Sequence, residues 1–533
     1  MTRAKYIVIL GSMMSGLGKG ILTASIGRLL KSRGYSVVPI KFDGYLNVDC
    51  GTMNPFRHGE VFVLDDGSEV DMDFGTYERF LNRSLTKISS ITGGKIFKHI
   101  IEKERRGAFL GRDVQVVPHL TAELKEWVKK VGEEEKADIV IVEVGGTVGD
   151  LENNYFIEAM RQFSFDEKDT LFIQLTYVPS LGKGEQKTKP TQHANRLIQS
   201  LGINPKMVVC RGDERLTKEA REKISLFCNV PMESVINDPL VEVIYELPSV
   251  LEKEGMYNMI AEKLGLRKSG GDSREWDSMV KKTLSPTGGS VKVAIVGKYT
   301  AVKDAYVSVK EALVHAGAAN NVKPKISFVE SVDIEKEGAG VLGKYDAVVV
   351  PGGFGKRGIE GKIAAIRYCR EKRIPLLGLC LGMQLMVVEY ARDVCGLGEA
   401  NSSEIDEKTT YPVIDILPEQ KRIVEKGGTM RLGACPCLLK KGTKAYDAYG
   451  KEKISERHRH RYEVNPEYVE KLEEGGLVVS GVYPKKGIVE MVEWPGGWGV
   501  GTQAHPELKS RLEAPAPLFV ALVEEAKNRK SKG

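Results

Sequence analysis

Apolar and polar positions follow two rhythms along this chain. Short unbroken apolar runs occur at Lys5-Tyr-Ile-Val-Ile-Leu10, Ala137-Asp-Ile-Val-Ile-Val-Glu-Val144 and Thr170-Leu-Phe-Ile-Gln-Leu-Thr176. They suit buried strands and are too short for helices. Between them, residues 21–33, Leu120 to Val131 and Lys189 to Ser200 place apolar side chains at helical spacing. Strands alternating with helices predict a parallel α/β sheet. The rhythm fades at Lys268-Ser-Gly-Gly-Asp-Ser-Arg274 and again at Ser285-Pro-Thr-Gly-Gly-Ser290, with one short helix over Asp277 to Leu284 between them. Polar, Gly- and Pro-rich composition marks a connection between domains. A second α/β series starts at Val291-Lys-Val-Ala-Ile-Val-Gly297. It runs through helix 304–319, strands Lys325–Val329 and Tyr345–Pro351, and helix 361–372. The expected architecture is therefore two parallel-sheet α/β domains, 1–267 and 291–533, joined by a linker over 268–290. No internal repeat at fixed spacing is visible.

Composition narrows the function classes. With 533 residues, 42% of them hydrophobic, the chain has ample core for about two to four domains. The net charge of +6 is spread along it. The clusters Arg457-His-Arg-His-Arg461 and Lys527-Asn-Arg-Lys-Ser-Lys532 are too short, and too poor in aromatics, for a nucleic-acid face. The second reads as a solvated terminus. No run reaches membrane-spanning length, and the first residues lack a signal-peptide core, so a cytoplasmic protein without membrane or nucleic-acid partners is expected. Eight Cys include no CxxC pair, and Cys435-Pro-Cys437 has no partner motif. A zinc site is not predicted, and the thiols read mostly as small core residues.

Three stretches carry chemistry. In Ile374-Pro-Leu-Leu-Gly-Leu-Cys-Leu-Gly-Met-Gln384, a β-rich run ends in Gly378-x-Cys380-x-Gly382 and passes into a helix-period segment. This is a nucleophile elbow with Cys in place of Ser. The helix N-terminus favours the thiolate. Near the end stands Gln503-Ala-His-Pro-Glu507. His505 and Glu507 lie two apart on an expected extended segment and so share a face, giving the thiol a base and an orienting carboxylate. A buried structural Cys and a surface His-Pro-Glu turn would explain either piece alone; the two together, in this order, favour chemistry. At the other end, Gly11-Ser-Met-Met-Ser-Gly-Leu-Gly-Lys-Gly20 follows a strand and opens a helix. Its small residues let N–H groups wrap phosphates, and Lys19 adds a point charge. Met13 and Gly20 break the strict Walker A pattern, so the usual hydroxyl ligand for magnesium is missing and carboxylates must hold the metal. The candidates are Asp71-Met-Asp73 and Glu143, which closes an apolar strand before Gly145-Gly-Thr-Val-Gly-Asp150.

These residues carry resemblances. Pro351-Gly-Gly-Phe-Gly355, Gly378-Leu-Cys-Leu-Gly-Met-Gln384 and Gln503-Ala-His-Pro-Glu507 resemble the signatures of class I glutamine amidotransferases, which hydrolyse glutamine through a cysteinyl thioester and release ammonia. The match places the oxyanion hole at the N–H groups of Gly353 and Leu381. A second resemblance spans nearly the whole chain. Ser15–Gly20, Lys41-Phe-Asp-Gly-Tyr-Leu-Asn-Val-Asp49, Gly51–Pro55, His58–Val63, Tyr77–Phe80, Val114–His119, Glu143–Asp150 and Gln186-Lys-Thr-Lys-Pro-Thr-Gln192 resemble the CTP synthase family. So do Ala400–Glu404 and Arg457–Glu463. That family joins a P-loop-like amidoligase domain to a class I amidotransferase domain.

The resemblance implies ATP-dependent amination of UTP to CTP through a 4-phosphoryl intermediate, with ammonia from glutamine. It implies Mg2+ held by Asp73 and Glu143, ATP at Gly16, Leu17, Gly18, Lys19, Gly20, Ile21, Asp73 and Val241, and a catalytic Lys41. UTP, and the feedback inhibitor CTP, map to Ser15, Asp150, Leu151, Glu152, Lys187, Thr188, Lys189, Pro190, Thr191, Gln192 and Lys223. Glutamine maps to Gly353, Leu381, Gly382, Met383, Gln384, Glu404 and Arg461. His58 falls near the family's ammonia passage. His458 and His460, alternating with Arg, read as lining a polar surface. GTP is expected as allosteric activator, and a homotetramer, with filaments as a further option, as the assembly. Several residues depart from the pattern. Ser12 replaces a Gly, Gly44 and Cys50 replace Pro, and Ala108 stands for an Asp in the loop linked to GTP activation. Pro239-Leu-Val241 differs on the adenine side. Two other readings remain at this stage: an amidoligase acting on a carboxylate substrate such as a corrin precursor, and a nucleotide-sensing or filament-forming scaffold with an inactive amidotransferase.

Overall fold

A computed structural model describes residues 4–12, 14–54, 58–182, 185–267, 271–298, 303–353, 355–416 and 430–532. Met13 of the phosphate loop, Pro55, residues 268–270 of the expected linker and Phe354 lie outside them. The chain divides into two compact units. The first holds Met1–Thr52 and Thr76–Val280, the second Met53–Gly75 and Lys281–Gly533. This differs from the expected 1–267, 268–290 and 291–533. Residues 53–75 belong with the second unit, and the division falls within helix Arg274–Leu284.

The first unit is built on a seven-stranded sheet. Its order is Val235–Pro239, Met207–Gly212, Thr170–Tyr177, Lys5–Gly11, Ile139–Val144, Val37–Asp43, Ser90–Thr92, and every pairing is parallel. Parallel strands covered on both faces become continuous apolar runs, as here. Strand Ile139–Val144 is buried along its whole length. Helices Lys19–Lys31, Thr121–Glu134 and Lys189–Ser200 fall close to the bounds the periodicity predicts. Ligand sites in such sheets lie at the carboxyl ends of strands. Gly11, Asp43 and Val144 end three neighbouring strands there.

The second unit has a nine-stranded sheet, and it is mixed rather than parallel. Lys323–Glu330, Ser290–Gly297, Ala347–Val350, Leu376–Leu379 and Gly499–Thr502 run parallel. Val489–Glu493, Val478–Val482, Arg431–Leu439 and Lys453–His460 extend it antiparallel. One core packs Val348, Ile363, Leu385 and Met386 on one face; the other gathers Ile295, Leu313, Leu377 and Phe519. Residues 53–75 contribute a small hairpin, Phe62–Val63 with Glu69–Val70.

Candidate functional site

The second unit carries an elbow. Strand Leu376–Leu379 ends one residue before Cys380, and helix Leu381–Asp393 starts one residue after. Cys380 has φ 51 and ψ −105, a backbone state that side chains other than Gly rarely adopt. The surroundings fix it. Its N–H donates to the Thr502 carbonyl at 2.7 Å, and its carbonyl accepts from Gln384 N–H at 3.1 Å. A Cβ on Gly378 would stand 2.7 Å from Met386 Sδ, and one on Gly382 would run into the Val350 carbonyl. So both flanking glycines are required by close approach.

Around the thiol, Gln503 Nε2 lies 3.6 Å from Cys380 Sγ, and the Arg459 carbonyl lies 3.8 Å away. His505 stands beside Cys380 on one side: a Cβ on Gly352 would lie 3.0 Å from His505 Cε1 and 3.5 Å from Cys380 Cβ. On the other, its Nδ1 meets Glu507 Oε1 at 2.7 Å. Burial opposes the imidazolium, but the Glu507 carboxylate and the Cys380 sulfur outweigh it and raise the His505 pKa well above its ordinary value. The segment is not extended, as the sequence suggested. Glu507 sits in the short helical turn Pro506–Lys509, and the turn curls the carboxylate back to Nδ1.

A cleft opens at the thiol, lined by Gly353, Cys380, Leu381, Gln384, Glu404, Met430, His460, Arg461 and Tyr462. Leu381 is first in its helix, where N–H groups have no intrahelical partner. A Cβ on Gly353 would be 3.9 Å from the Leu381 side chain. Two buried lysines hold the loop that carries Gly353. Lys362 Nζ donates to the Pro351 carbonyl at 3.0 Å, and Lys298 Nζ to the Gly355 carbonyl at 2.8 Å. Burial, with Lys298 nearby, brings the Lys362 pKa down to about 7. Glu404 is mostly buried and its pKa is raised by that burial, although the Gly355 N–H, Lys298 and Arg461 pull the other way.

In the first unit, the loop before helix Lys19–Lys31 turns through Gly16 and Gly18, at φ 73 and 87. Lys19 Nζ donates to the Gly146 carbonyl at 2.6 Å. Glu143 is buried; its Oε2 accepts from Thr23 Oγ1 at 3.1 Å and from the Tyr77 hydroxyl. Lys41 Nζ is 3.8 Å from Glu143 Oε1 and 4.0 Å from Asp43. Loop lysine, carboxylate and Lys41 thus converge at the strand ends. Among the described residues no three His, Cys, Asp or Glu side chains form a full metal cage. Mg2+ uses one or two carboxylates and fills its other positions with phosphate oxygens and water. A buried carboxylate beside a phosphate loop fits that ion. Asp73, which belongs with the second unit, opens helix Asp73–Leu81, and its N–H is held by Asp71 Oδ1 at 2.9 Å.

Comparison with known proteins places both halves of the chain in known families. The family model "CTP synthase N-terminus" matches residues 5–266, and "Glutamine amidotransferase class-I" matches residues 301–524. A CTP synthase of Thermococcus kodakarensis is 52% identical over 531 residues, covering 99% of each chain. One of Methanocaldococcus jannaschii is 50% identical over 539 residues, again 99% of each. The chain belongs to the CTP synthase family. A solved Trypanosoma brucei CTPS glutaminase domain with bound acivicin is 37% identical. It covers 45% of this chain and 94% of its own, with a TM-score of 0.43.

Members of the CTP synthase family aminate UTP to CTP with nitrogen from glutamine and the energy of ATP. The corrin-type amidoligase and the inactive scaffold are thereby set aside. Of the residues expected to meet glutamine, Gly353, Leu381, Gln384, Glu404 and Arg461 line the cleft, whereas Gly382 and Met383 are buried and do not line it. Sequence reasoning missed Gln503, Met430, His460, Tyr462, Lys298 and Lys362 as neighbours of the site. His458 and His460 do not line a polar surface. Both are buried, with Nδ1 of the first 2.9 Å from Nε2 of the second. Burial and neighbouring cations push both pKa values well down.

The expected UTP residues scatter over the carboxyl edge of the first sheet. Ser15, Asp150, Leu151 and Glu152 are exposed, while Thr188, Thr191 and Gln192 are buried at the start of helix Lys189–Ser200. Lys187 pairs with Glu185 at 2.5 Å, and Lys223 with Glu219 at 2.6 Å. Glu219 first, then Glu185, raises the Lys223 pKa. Glu185 therefore links the two lysines electrostatically. Val241 lies half-buried just past strand Val235–Pro239. No helix among the described residues is long and apolar enough to cross a membrane.

Proposed function

We propose that Cys380, His505 and Glu507 hydrolyse glutamine and that the ammonia formed aminates a phosphorylated UTP in the first unit. The observation that carries this is the His505–Glu507 contact of 2.7 Å beside a thiol held at a strained elbow. Glutamine enters the cleft with its α-ammonium against Glu404 and its carboxylate toward Arg461. Sγ attacks the side-chain amide carbon, and the oxyanion takes N–H bonds from Gly353 and Leu381. The C–N bond breaks as His505 gives its proton to the departing ammonia. Water then attacks the thioester with His505 as base, and glutamate leaves.

In the first unit the loop from Gly16 to Ile21, with Lys19, holds ATP phosphates. Lys187, Lys189, Gln192 and Lys223 hold those of UTP. Lys41 steadies the phosphoryl group passing to O4 of the uracil ring. Ammonia displaces that phosphate at C4, so ATP, UTP and ammonia yield ADP, phosphate and CTP. Asp73 and Glu143 would hold Mg2+, whose charge would offset that of the phosphates. CTP inhibits by sharing the triphosphate subsite, and GTP activates glutamine hydrolysis. The working form is a cytoplasmic homotetramer, with filaments a further assembly. Cys380→Ala tests the central claim. It should abolish glutamine-driven CTP formation and spare synthesis from added ammonium. Glutamine-driven turnover in this variant would remove Cys380 as nucleophile.

A further inference from the structure

Strand Lys453–His460 carries Arg457 and Arg459 on one face and His458 and His460 on the other, as period-two alternation requires. The histidine face turns toward the cleft and Glu490, which lies 3.6 Å from His458 Nε2. The arginine face meets the hairpin of residues 62–70. Arg457 is fully buried, yet its Nε donates to Asp65 Oδ1 at 2.6 Å, and its guanidinium stands 5.3 Å from the Phe62 ring. Arg459 Nε donates to Glu69 Oε1 at 2.7 Å. The backbone seals the same contact. Ala434 N–H donates to the Asp65 carbonyl at 3.0 Å. Gly433 has φ 83, and a Cβ there would stand 2.6 Å from Gly67 N and 2.7 Å from the Asp65 carbonyl. No other residue fits at Gly433 without moving the hairpin.

These two arginines are also the ones whose carbonyls touch the catalytic groups. His505 N–H donates to the Arg457 carbonyl at 2.8 Å. The Cys380 thiol faces the Arg459 carbonyl at 3.8 Å. Arg457 NH1 further donates at 3.2 Å to the carbonyl of Leu508, in the same turn that carries Glu507. Cys380 and His505 thus each meet the carbonyl of an arginine whose side chain is paired with a carboxylate of the hairpin.

We infer that Asp65 and Glu69 are positioning residues for glutamine hydrolysis, setting the Cys380–His505 geometry through Arg457 and Arg459. They touch neither glutamine nor the reacting atoms. Their effect is on the distance and angle between thiol and imidazole, which govern the chemical step more than substrate affinity. The hairpin enters from Thr52 and leaves at Thr76, so its two ends run into the first unit.

The inference rests on the roles given above to Cys380 and His505. The test uses the full-length chain carrying Asp65→Asn and Glu69→Gln together. Glutamine hydrolysis should lose about tenfold or more in kcat, with KM for glutamine within about threefold. CTP formation from added ammonium should stay within about twofold, which shows that the fold is kept. The conservative pair Asp65→Glu and Glu69→Asp should recover most of the lost kcat, which a purely structural carboxamide effect would not predict. Cys380→Ala is measured alongside. If it still hydrolyses glutamine, the nucleophile assignment fails and this inference falls with it. If it is inactive while the double variant has wild-type kcat, only the positioning role fails. A loss confined to KM, or one shared equally by the ammonium reaction, also overturns it.

Discussion

Replacing Glu507 with Gln would keep the shape of the turn and an acceptor for Nδ1–H, but remove the charge. The contact is short, 2.7 Å, and the carboxylate is buried with a side-chain exposure of 4%. Solvent screening there is weak. A hydrogen bond to a charged group is worth about 1.5–3 kcal/mol. Losing it lowers the His505 pKa. Burial, no longer opposed by the carboxylate, acts in the same direction.

The sign of the pH effect follows from the role of the proton. His505 must carry it to protonate departing ammonia, so activity falls as pH rises through the His505 pKa. In the parent that pKa is raised, which moves the alkaline limb upward. In Glu507→Gln the alkaline limb of kcat should move toward acid, and glutamine hydrolysis on the parent's plateau should fall about 10- to 100-fold. The raised pKa also links to stability. The pair stabilises the fold fully below the ordinary histidine value, and that contribution fades as pH rises through the folded-state value. The variant should therefore lose stability chiefly at the acid end of that window. Ammonia release from glutamine, followed across pH with thermal melts in parallel, measures both. An alkaline limb that stays in place, with activity within about twofold of the parent, would refute the assignment of Glu507 as the residue that holds the proton on His505.

Two further outcomes are expected. Glu143→Gln and Asp73→Asn should each slow CTP formation from ammonium as well as glutamine by at least about tenfold, followed by the absorbance change from UTP to CTP; near-normal rates would remove that residue from the metal site. CTP should compete with UTP, raising its apparent KM. Lys187→Ala should weaken both nucleotides about three- to tenfold, the low end for a charged phosphate contact because Lys187 is partly exposed and paired with Glu185. Glu152→Gln should relieve CTP inhibition more than it impairs UTP use, and a Glu152 variant as CTP-sensitive as the parent would contradict the mapping.

Much of the architecture was legible because parallel α/β units write themselves locally. A strand covered on both faces is an unbroken apolar run, as at Ile139–Val144, and helix Lys189–Ser200 shows its burial at regular spacing. The elbow was legible for a different reason. Its two close approaches admit only glycine, so Gly378 and Gly382 record the turn in the sequence. The antiparallel half of the second sheet was not legible. Strand Arg431–Leu439 is buried only at Gly433, Cys437 and Leu439, and its partner Lys453–His460 carries Lys, Glu, His and Arg. The second resembles no apolar run, and Gly433 and Pro436 interrupt the first.

That partner strand shows why local reading stops where it does. Charged side chains imply exposure only when no charge of opposite sign is folded against them. Arg457 is fully buried because Asp65, 392 positions away in sequence, reaches it, and Arg459 is mostly covered because Glu69 does. Burying either arginine without its carboxylate would cost several kcal/mol, of order 3–5. The pairs are therefore conditions for the strand to lie where it does, not additions to a fold already made. His458 and His460 follow from the same cause. Once the arginine face is committed to the hairpin, the alternation of the strand sends both imidazoles inward, to Glu490 and to the glutamine cleft. A window of ten residues contains the basic cluster but not the acids that neutralise it. The motif residues of the site could be found because each is required by chemistry at its own position. The residues that hold them depend on segments hundreds of positions apart, and only the folded chain brings those segments together.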